Sequence, residues 1–467
     1  MLNQPLGVFG TQDQWTLKDA CEGVQIFGGT GSGKTSGSGL ALAKSFLSAG
    51  LGGLVLTVKG DERATWERYA RATGREDDLV IVSQNTGIED NYFNFLNYEY
   101  SRQGRGSGLT ENLVNLFIAV ISSGQGIQAQ NSYWTASLKQ LLRNTIDLVA
   151  LAKDRVTLKD MYEVVTTAAR SKTELSKPIW KNSKCHRYLQ NAKKKVEQSG
   201  DVEASLDLEI TEHYWTNEFP NLDEKTRSII ISMFTARADS FLRGTLRNIF
   251  SSTEADTFVP EDSVAGKVII LDLPKKEYEE IGQFAQVLFK YIWQRAMERR
   301  VVDTDTLPVF LWVDEAQHFY TEHDSLFQTT ARSSRTCTVY ITQNIPNYEA
   351  IFTSGNSKAC VDSFLGNLQT KIFHANSDVT TNQYASHLIS KKYKLQTNTS
   401  SGHGGQSYTA NRSLETQVIP KEFAELKNGG ELHDHKVEAI VYQTGRKWCG
   451  NGGNNYCKVE FDQRSNT

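Results

Sequence analysis

The amino-acid sequence predicts an α/β fold, with a mostly parallel twisted sheet covered by helices and a largely helical insertion. Three observations predict it. Over the first hundred residues, short apolar segments such as Val24–Phe27 alternate with helix-length segments such as Thr35 to Leu51. From about Gly106 to Asn248 most segments have helical period, most clearly from Trp134 to Val149. Strand signals return at Val268 and continue toward the end of the chain.

The predicted strands are short apolar runs, which is typical of buried parallel strands. They are Val24–Phe27, Leu54–Val58, Leu79–Val82, Val268–Leu273, Val309–Val313, Val339–Thr342, Gln369–His374 and Val437–Tyr442. We therefore expect a nucleotide-binding domain in two parts, residues 1–105 and 249–449, with an inserted all-α domain at 106–248. Segment 391–417 is rich in Ser, Thr, Gly and Asn, which predicts a flexible loop, and 450–467 is predicted to be a mobile tail.

Composition excludes some classes of protein. The chain has 467 residues, with 51 basic and 54 acidic side chains, so it is not a histone-like polycation. Six scattered cysteines without a CxxC pair indicate a reducing compartment. No apolar run approaches the roughly 20 residues that a membrane-spanning helix needs. We therefore expect a cytoplasmic protein with no transmembrane segment.

A glycine-rich segment between the first strand and the first helix fits the pattern GxxxxGK[ST]. Its glycines let successive backbone N–H groups converge on phosphate oxygens at the positive end of a helix. In this interpretation Lys34 contacts the β- and γ-phosphates, and the Thr35 hydroxyl binds Mg²⁺. The predicted nucleotide-binding residues are Gly28, Gly29, Thr30, Gly31, Ser32, Gly33, Lys34, Thr35 and Ser36. The alternative is a glycine turn that only connects two elements.

An acidic pair, Asp314 and Glu315, follows the apolar strand Val309–Val313. Two carboxylates at the end of a buried strand are costly unless a cation or a reacting water is present. Asp314 is therefore predicted to hold Mg²⁺, and Glu315 to polarise the attacking water, which suits hydrolysis. The alternative is an acidic pair that opens a surface loop.

Three further residues are candidates for the same site. Gln343 ends the strand Val339–Thr342 and would report the γ-phosphate if that strand adjoins the others. Its alternative role is to cap a turn. Arg332 and Arg335 lie between the two strands, and either guanidinium is suited to stabilising phosphate charge from an adjacent subunit. Their alternative role is in surface ion pairs.

A basic segment lies within the helical insertion. Between Lys172 and Lys195 there are eight basic residues and a single acid, Glu174. One interpretation is a solvated helix face. The other is a contact with nucleic acid or a partner protein.

Several segments, in this order, resemble motifs of the type IV coupling proteins, the TraG/TraD-like branch of the HerA–FtsK motor ATPases. They are Val58–Glu62, Phe93–Leu96, Tyr133–Trp134, Asp223–Ser228, Ala331–Arg335 with Gln343, Asn367–Ile372 and Asp378–Ser386. The first departs from the family's DPKGE, because the Asp-Pro is missing and an extra Asp is present. The resemblance spans about residues 5 to 445.

This resemblance implies a RecA-like P-loop NTPase core with an all-α domain, and a homo-hexamer around a channel. It implies that Lys34, Thr35, Asp314, Glu315 and Gln343 bind Mg·ATP, and it favours Arg332 over Arg335 as the arginine finger. Family members usually begin with a membrane anchor that this sequence lacks. We therefore expect either a cytosolic member or recruitment to the inner face of the membrane by a separate anchor subunit.

Two functions follow as hypotheses. The first is an ATP-hydrolysing motor that moves DNA, or DNA with attached protein, in conjugation-like transfer, together with a relaxase or secretion-channel proteins. The second is a docking NTPase in a secretion or defence system, whose ATP state controls binding of a protein partner without processive movement. Stimulation of the ATPase by DNA would distinguish them.

Overall fold

The computed structural model describes residues 1–9, 13–83, 91–102, 110–123, 132–251, 255–352, 357–402 and 405–466. These residues form two compact units. The first comprises Met1–Leu79, Asp262–Ile270 and Met297–Thr467, and the second comprises Val80–Glu261 and Leu271–Ala296. The predicted domain boundary at residues 105 and 106 lies outside the described residues.

The strands are β1 (Val24–Phe27), β2 (Gly53–Leu56), β3 (Leu79–Val82), β4 (Val268–Leu271), β5 (Val309–Val313), β6 (Thr336–Thr342), β7 (Thr370–Phe373), β8 (Lys391–Gly402), β9 (Gly405–Thr416), β10 (Lys436–Gln443) and β11 (Tyr456–Asp462). In the first unit, one sheet runs in the order β11-β10-β7-β1-β6-β5-β2-β4. β6 lies between β1 and β5 and is parallel to both, with Val24 opposite Val339 and Val309 opposite Thr336. β10 is antiparallel to β7 and to β11. The sheet is thus mostly parallel, as predicted, and it has an antiparallel edge that the sequence analysis did not predict.

The helices of the first unit are α1 (Leu17–Ala20), α2 (Leu40–Ser48), α3 (Glu62–Thr73), α15 (Glu322–Ala331), α16 (Ile345–Glu349), α17 (Ser357–Asn367), α18 (Val379–Ile389) and α19 (Pro420–Ala424). Because side chains alternate along a strand, each sheet face has its own core. On one face, Phe46 of α2 packs near Phe310 of β5. On the other, Phe364 of α17 lies edge-on to Tyr340 of β6 and to Tyr348 of α16.

The second unit is largely helical. It contains α4 (Phe95–Ser101), α5 (Thr110–Ser123), α6 (Ser132–Lys153), α7 (Leu158–Thr166), α8 (Pro178–Lys181), α9 (Lys184–Ser199), α10 (Val202–His213), α11 (Phe219–Asn221), α12 (Glu224–Phe241) and α13 (Gly244–Phe250), and most of α14 (Lys275–Arg299). Along α6, Leu138, Leu141 and Ile146 are buried, so the helical period in the sequence marks a true packing face. Among the described residues, no helix is both long and apolar enough to cross a bilayer.

Two predictions about the C-terminal third of the chain were wrong. Segment 391–417, predicted as a loop, contains β8 and β9, which pair as an antiparallel ribbon from Lys391–Thr416 to Gly402–Gly405. Segment 450–467, predicted as a mobile tail, contains β11, which pairs with β10 from Tyr456 to Asp462. Alternation explains the second correction, because Cys457 and Phe461 are buried while Lys458 between them is exposed.

Candidate nucleotide-binding site

The glycine-rich loop leaves β1 at Phe27 and runs into a π-helical turn, Thr35–Gly39, that leads into α2. Gly31 and Gly33 have φ angles of 72° and 80°, which side chains other than glycine rarely adopt. The Gly29 N–H donates to the Ala375 carbonyl at 2.9 Å, which ties the loop to the segment after β7. The loop thus has the backbone freedom and the anchoring that a phosphate cradle needs.

Gly37 and Gly39 lie in the first turns of the helix, where glycine is usually unfavourable. A Cβ on Gly37 would lie 3.1 Å from Val437 Cγ1, and a Cβ on Gly39 would lie 3.0 Å from the Lys34 carbonyl oxygen. These two glycines therefore allow the turn after the phosphate loop to lie close to β10 and to the loop itself.

The acidic pair at the end of β5 lies against this loop. The Thr35 hydroxyl donates to Asp314 Oδ2 at 3.3 Å, and Lys34 Nζ lies 3.9 Å from Glu315 Oε1. Asp314 and Glu315 are only 5% and 8% exposed. Residues almost 280 positions apart meet because β1 and β5 are parallel to the same strand, β6, so their carboxyl ends face one edge of the sheet.

Glu315 is held in a precise but strained position. Its φ and ψ are 44° and 52°, in the left-handed region. The Gln317 side-chain amide donates to Glu315 Oε2 at 2.9 Å, and Gln317 Oε1 accepts a hydrogen bond from the Thr342 hydroxyl at 2.8 Å. The Gln343 side chain, at the end of β6, also acts to lower the pKa of Glu315. Glu315 is therefore fixed from both β5 and β6.

The pKa values of the two carboxyl groups are shifted in opposite directions. Burial raises the pKa of Asp314, and the negative charge of Glu315 raises it further against the opposing effect of Lys34. Burial also acts to raise the pKa of Glu315, but the Gln317 hydrogen bond and the charges of Lys34 and Lys59 outweigh it, so that pKa is lowered. Glu315 is thus an anion at neutral pH, as a group that polarises water must be.

A pocket of about 240 Å³ opens beside Thr35 and Asp314. Its other lining residues are Leu56, Lys59, Asp61, Glu62, Thr65, Trp66, Tyr69 and Trp312. Glu62 Oε2 accepts a hydrogen bond from the Val58 N–H at 2.8 Å, while Glu62 Oε1 is buried without a partner among the described residues. Burial, and then the charge of Asp314, raises the pKa of Glu62 to about 8.

The residues present fit a magnesium–nucleotide complex. Ser32 Oγ is buried in the loop and has no hydrogen-bond partner among the described residues, so a donor inside the cradle is unused. Lys34 supplies a cation for phosphate oxygens, and the Thr35 hydroxyl with the Asp314 carboxylate supplies the oxygen ligands that Mg²⁺ prefers.

The structure brings five of the predicted site residues to one edge of the sheet: Lys34, Thr35, Asp314, Glu315 and Gln343. The two candidate arginines, Arg332 and Arg335, lie elsewhere. Arg332 lies at the opposite end of β6 from Gln343, and a seven-residue strand spans roughly 23 Å. Its side chain is 63% exposed, and its Nε lies 3.6 Å from Glu22 Oε1. Arg335 donates to the carbonyl oxygens of Thr304, at 3.2 Å, and Thr306. Neither arginine reaches the phosphate loop of its own chain.

Sequence reasoning missed two site residues. Glu62 ends the segment Val58–Glu62, which resembles a motif of the coupling proteins, but nothing in the composition of that segment shows that the carboxyl group is buried. Gln317 lies two residues after Glu315 and was open to the same reasoning that selected Gln343, since amides next to a reacting carboxylate often orient it.

The basic segment is divided between paired and unpaired side chains. Three lysines are in ion pairs, Lys184 with Glu163, Lys193 with Glu212 and Lys195 with Asp154. The other five, which have no ion pair in the part of the chain that the structure describes, are Lys172, Lys177, Lys181, Arg187 and Lys194.

Solved structures of known proteins have a fold similar to that of this chain. A structure of the bacterial conjugative coupling protein TrwBdeltaN70, in an unbound form, has a TM-score of 0.63 at 14% identity, covering 99% of this chain and 88% of that one. TrwB in complex with ADP and Mg²⁺ has a TM-score of 0.60 at 13% identity, covering 98% and 88%. TrwB with the ATP analogue ADPNP has a TM-score of 0.59 at 13% identity, covering 99% and 90%. The chain therefore has the RecA-like fold of a P-loop NTPase.

One family model also matches. Residues 308–427 fit the model described as the TraM recognition site of TraD and TraG. This segment, about a quarter of the chain, is therefore similar to the corresponding segment of TraD and TraG. No curated protein matches it significantly.

Proposed function

We propose that this chain hydrolyses ATP with Mg²⁺ as one subunit of a hexameric motor that moves DNA, or a DNA–protein substrate, in conjugation-like transfer. The observation that carries the proposal is the pairing of Thr35 with Asp314 and of Lys34 with Glu315 at one sheet edge. The solved structures of TrwB with ADPNP and with ADP and Mg²⁺ support the choice of ligand.

Each residue has a role that follows from its chemistry. The backbone N–H groups of Gly28–Ser36 cradle the phosphates, and Lys34 neutralises the β- and γ-phosphate charge. Thr35 and Asp314 hold the metal, which supplies charge neutralisation when bound. Glu315 orients and polarises the attacking water, and Gln317 links that carboxylate to Thr342 of β6. Conformational differences between the ATP and ADP states would then pass along β6.

A ring of subunits is the second part of the proposal. Arg332 is exposed and lies at the end of β6 remote from its own phosphate loop. An arginine in that position completes a site only when a second copy brings it there, as arginine fingers do. Six copies around a channel, with an inserted all-α domain at residues 106–248, follow the family pattern. DNA in the channel would be held through its phosphate backbone, and a relaxase or secretion-channel protein would be a natural partner.

Two substitutions test the site. Lys34→Ala removes the phosphate cation, and Glu315→Gln keeps the shape of the side chain but not its charge. We expect each to lower ATP turnover about 100-fold or more, with Glu315→Gln still binding ATP. Lys421→Ala, an exposed lysine on α19, is the control and should leave turnover unchanged. Turnover that survives in Lys34→Ala or Glu315→Gln would refute the assignment.

A docking NTPase is the second candidate. The matched family model is described as a recognition site for TraM, and this favours a region that binds another protein. The two candidates differ in their response to DNA. A motor should hydrolyse ATP faster with duplex or single-stranded DNA, and the stimulation should fall as salt rises. An ATPase rate that does not change with DNA, but does change with a protein partner, would favour docking.

A further inference from the structure

Helix α10 (Val202–His213) has an apolar stripe on its exposed side. Val202, Leu206 and Ile210 are 73%, 57% and 66% exposed. Because they are four residues apart, they lie along one face of the helix. Thr211, on another side of the same helix, is buried. Three large aliphatic side chains in a row on a surface helix mark a contact site.

Acidic residues flank the stripe. Glu203, Asp207 and Glu209 are exposed and have no ion pair among the described residues, and α10 contains no lysine or arginine. Nearby, burial raises the pKa of Asp147 to about 6, and the negative charge of Asp207 contributes to the increase. The surface is therefore apolar in the middle and negative at its edges, which predicts a partner that is apolar in the middle and positive at its edges.

At α8, the same unit carries a surface that is apolar in the middle and positive at its edges. Ile179 is 78% exposed and is flanked in sequence by Lys177 and Lys181, both exposed. Neither lysine has an ion pair in the described part of the chain. This segment and the α10 stripe are thus complementary in both hydrophobicity and charge.

The two surfaces of one chain do not meet. α8 directly precedes the start of α9 at Lys184, whereas α10 is joined to α9 farther along by the ion pair between Lys193 and Glu212. The nine residues from Lys184 to Lys193 separate these positions by roughly 14 Å along the helix axis. A contact between these two surfaces therefore requires two molecules.

We propose that the α10 stripe of one subunit docks on the Lys177–Lys181 segment of a second copy of this chain. The contact is head-to-tail, because the two surfaces differ, and head-to-tail contacts repeat around a closed ring. The inference rests on the proposed assembly of several copies, and it adds a specific contact between the helical units. It also gives the basic segment a function that does not involve nucleic acid.

A charge swap tests the contact by native mass spectrometry with Mg·ADPNP at fixed subunit concentration. Reversal of the acidic side (Glu203→Lys with Asp207→Lys) or of the basic side (Lys177→Glu with Lys181→Glu) should lower the population of the ring about tenfold. All four substitutions in one chain should restore it, because every contact is then inverted. As the control, the acidic-side reversal combined with Lys276→Glu and Lys421→Glu has the same net charge and should not restore it.

A photo-crosslink locates the contact directly. The crosslinking amino acid p-benzoylphenylalanine at position 206 should give a covalent dimer, and peptide mapping should place the adduct within residues 177–187. Circular dichroism of each variant distinguishes loss of contact from loss of folding.

Full rings in both single-side variants would overturn the inference while the proposed function stands. A wild-type chain that stays monomeric with Mg·ATP would overturn both, and normal rings with lost DNA binding in the basic-side variant would assign the lysines to nucleic acid instead.

Discussion

The Glu62 carboxyl group lies in the wall of the pocket beside Asp314, with one oxygen bonded and the other without a partner among the described residues. Burial and the charge of Asp314 raise its pKa from 4.5 to about 8. Between these pH values the folded protein holds a proton that the unfolded chain has released. The contribution of Glu62 to stability should therefore fall as pH rises from about 4.5 to about 8, because at this group the native state binds more protons.

Glu62→Gln should remove this dependence. The substitution keeps an acceptor for the Val58 N–H but has no charge to bury. Without nucleotide, we expect the variant to be more stable than the wild type at pH 8, by on the order of 2 kcal/mol, and the two to converge near pH 4.5. Urea unfolding at pH 5 and pH 8 measures the difference in stability between the variant and the wild type. The exposed Glu322→Gln is the control. Parallel pH profiles for Glu62→Gln and the wild type would contradict the prediction.

At this scale, the sequence is informative where chemistry requires a residue type at a fixed place in an element. Lys34, Thr35, Asp314 and Glu315 were all predicted because each ends a strand or begins a helix in a recognisable pattern. The ionisation of Glu62 was not predictable, since it depends on neighbours that come from distant parts of the chain. Local composition does not contain that information.

The turn that follows the phosphate loop shows how packing can override helix propensity. In an exposed helix interior, alanine is more favourable than glycine by about 1 kcal/mol. At Gly37 a Cβ would be 3.1 Å from Val437 Cγ1 and 3.5 Å from His374 Cε1. Because residue 37 has no side chain, the turn can lie against β10 without displacing Val437.

We accordingly expect Gly37→Ala to destabilise the protein by about 1 kcal/mol rather than stabilise it. In a Val437→Ala background, where the obstruction is removed, the same substitution should become neutral or stabilising. A double-mutant cycle measured by urea unfolding gives the coupling energy, about 1–2 kcal/mol. Gly366→Ala in α17, where a Cβ meets nothing within 4 Å, is the matched control and should stabilise. Additive effects in the cycle would show that Val437 is not the cause.

Strand β11 is one of the elements that the sequence analysis placed wrongly. Its glycine- and asparagine-rich approach suggested a tail, whereas the alternation of Cys457, Val459 and Phe461 is the usual signal of a half-buried strand. Phe461 packs against His374, with ring centroids 6.1 Å apart, and Gln463 donates to the Ser36 hydroxyl at 2.7 Å. The end of the chain thus supports the phosphate loop.

Phe461→Ala should lower the free energy of unfolding by about 3 kcal/mol, because it leaves a cavity under β11. Glu460→Ala, on the exposed side of the same strand, is the matched control. Its ion pairs with Lys427 and Lys436 are at the surface, so a change below about 1 kcal/mol is expected. Chemical denaturation measures both variants. Equal effects would mean that β11 does not contribute its buried face to the core.

At the scale of the whole molecule, the common sheet edge of β1 and β5 follows from the motifs, because the phosphate loop and the acidic pair must lie close together. The β8–β9 ribbon and the antiparallel edge were not predictable in this way. β8 and β9 are weakly apolar, and the antiparallel direction in which β10 pairs with β7 is not contained in a local pattern. The position of Arg332 also emerges only from the assembled sheet.

Substitution of Arg332 tests the assembly, because the proposed role of this residue requires a second subunit. Arg332→Ala should lower turnover about 1,000-fold, as loss of an arginine finger does. Arg335→Ala, whose guanidinium is bound to backbone carbonyls of its own chain, should affect stability more than turnover. Lys34→Ala is inactive for a different reason, since its own phosphate site is damaged while its Arg332 is intact.

Mixing the two inactive proteins should therefore restore activity. In mixed rings, a subunit with Arg332→Ala keeps a working phosphate site and receives Arg332 from a neighbour that carries Lys34→Ala. In an equal, random mixture about a quarter of the sites have both parts, so about a quarter of wild-type turnover is expected. The measurement is ATP turnover against mixing ratio, with Lys34→Ala mixed with Glu315→Gln as the control, because both lesions damage the same side of the site. A mixture that stays inactive, although mass spectrometry shows mixed rings, would mean that Arg332 does not act across the subunit boundary.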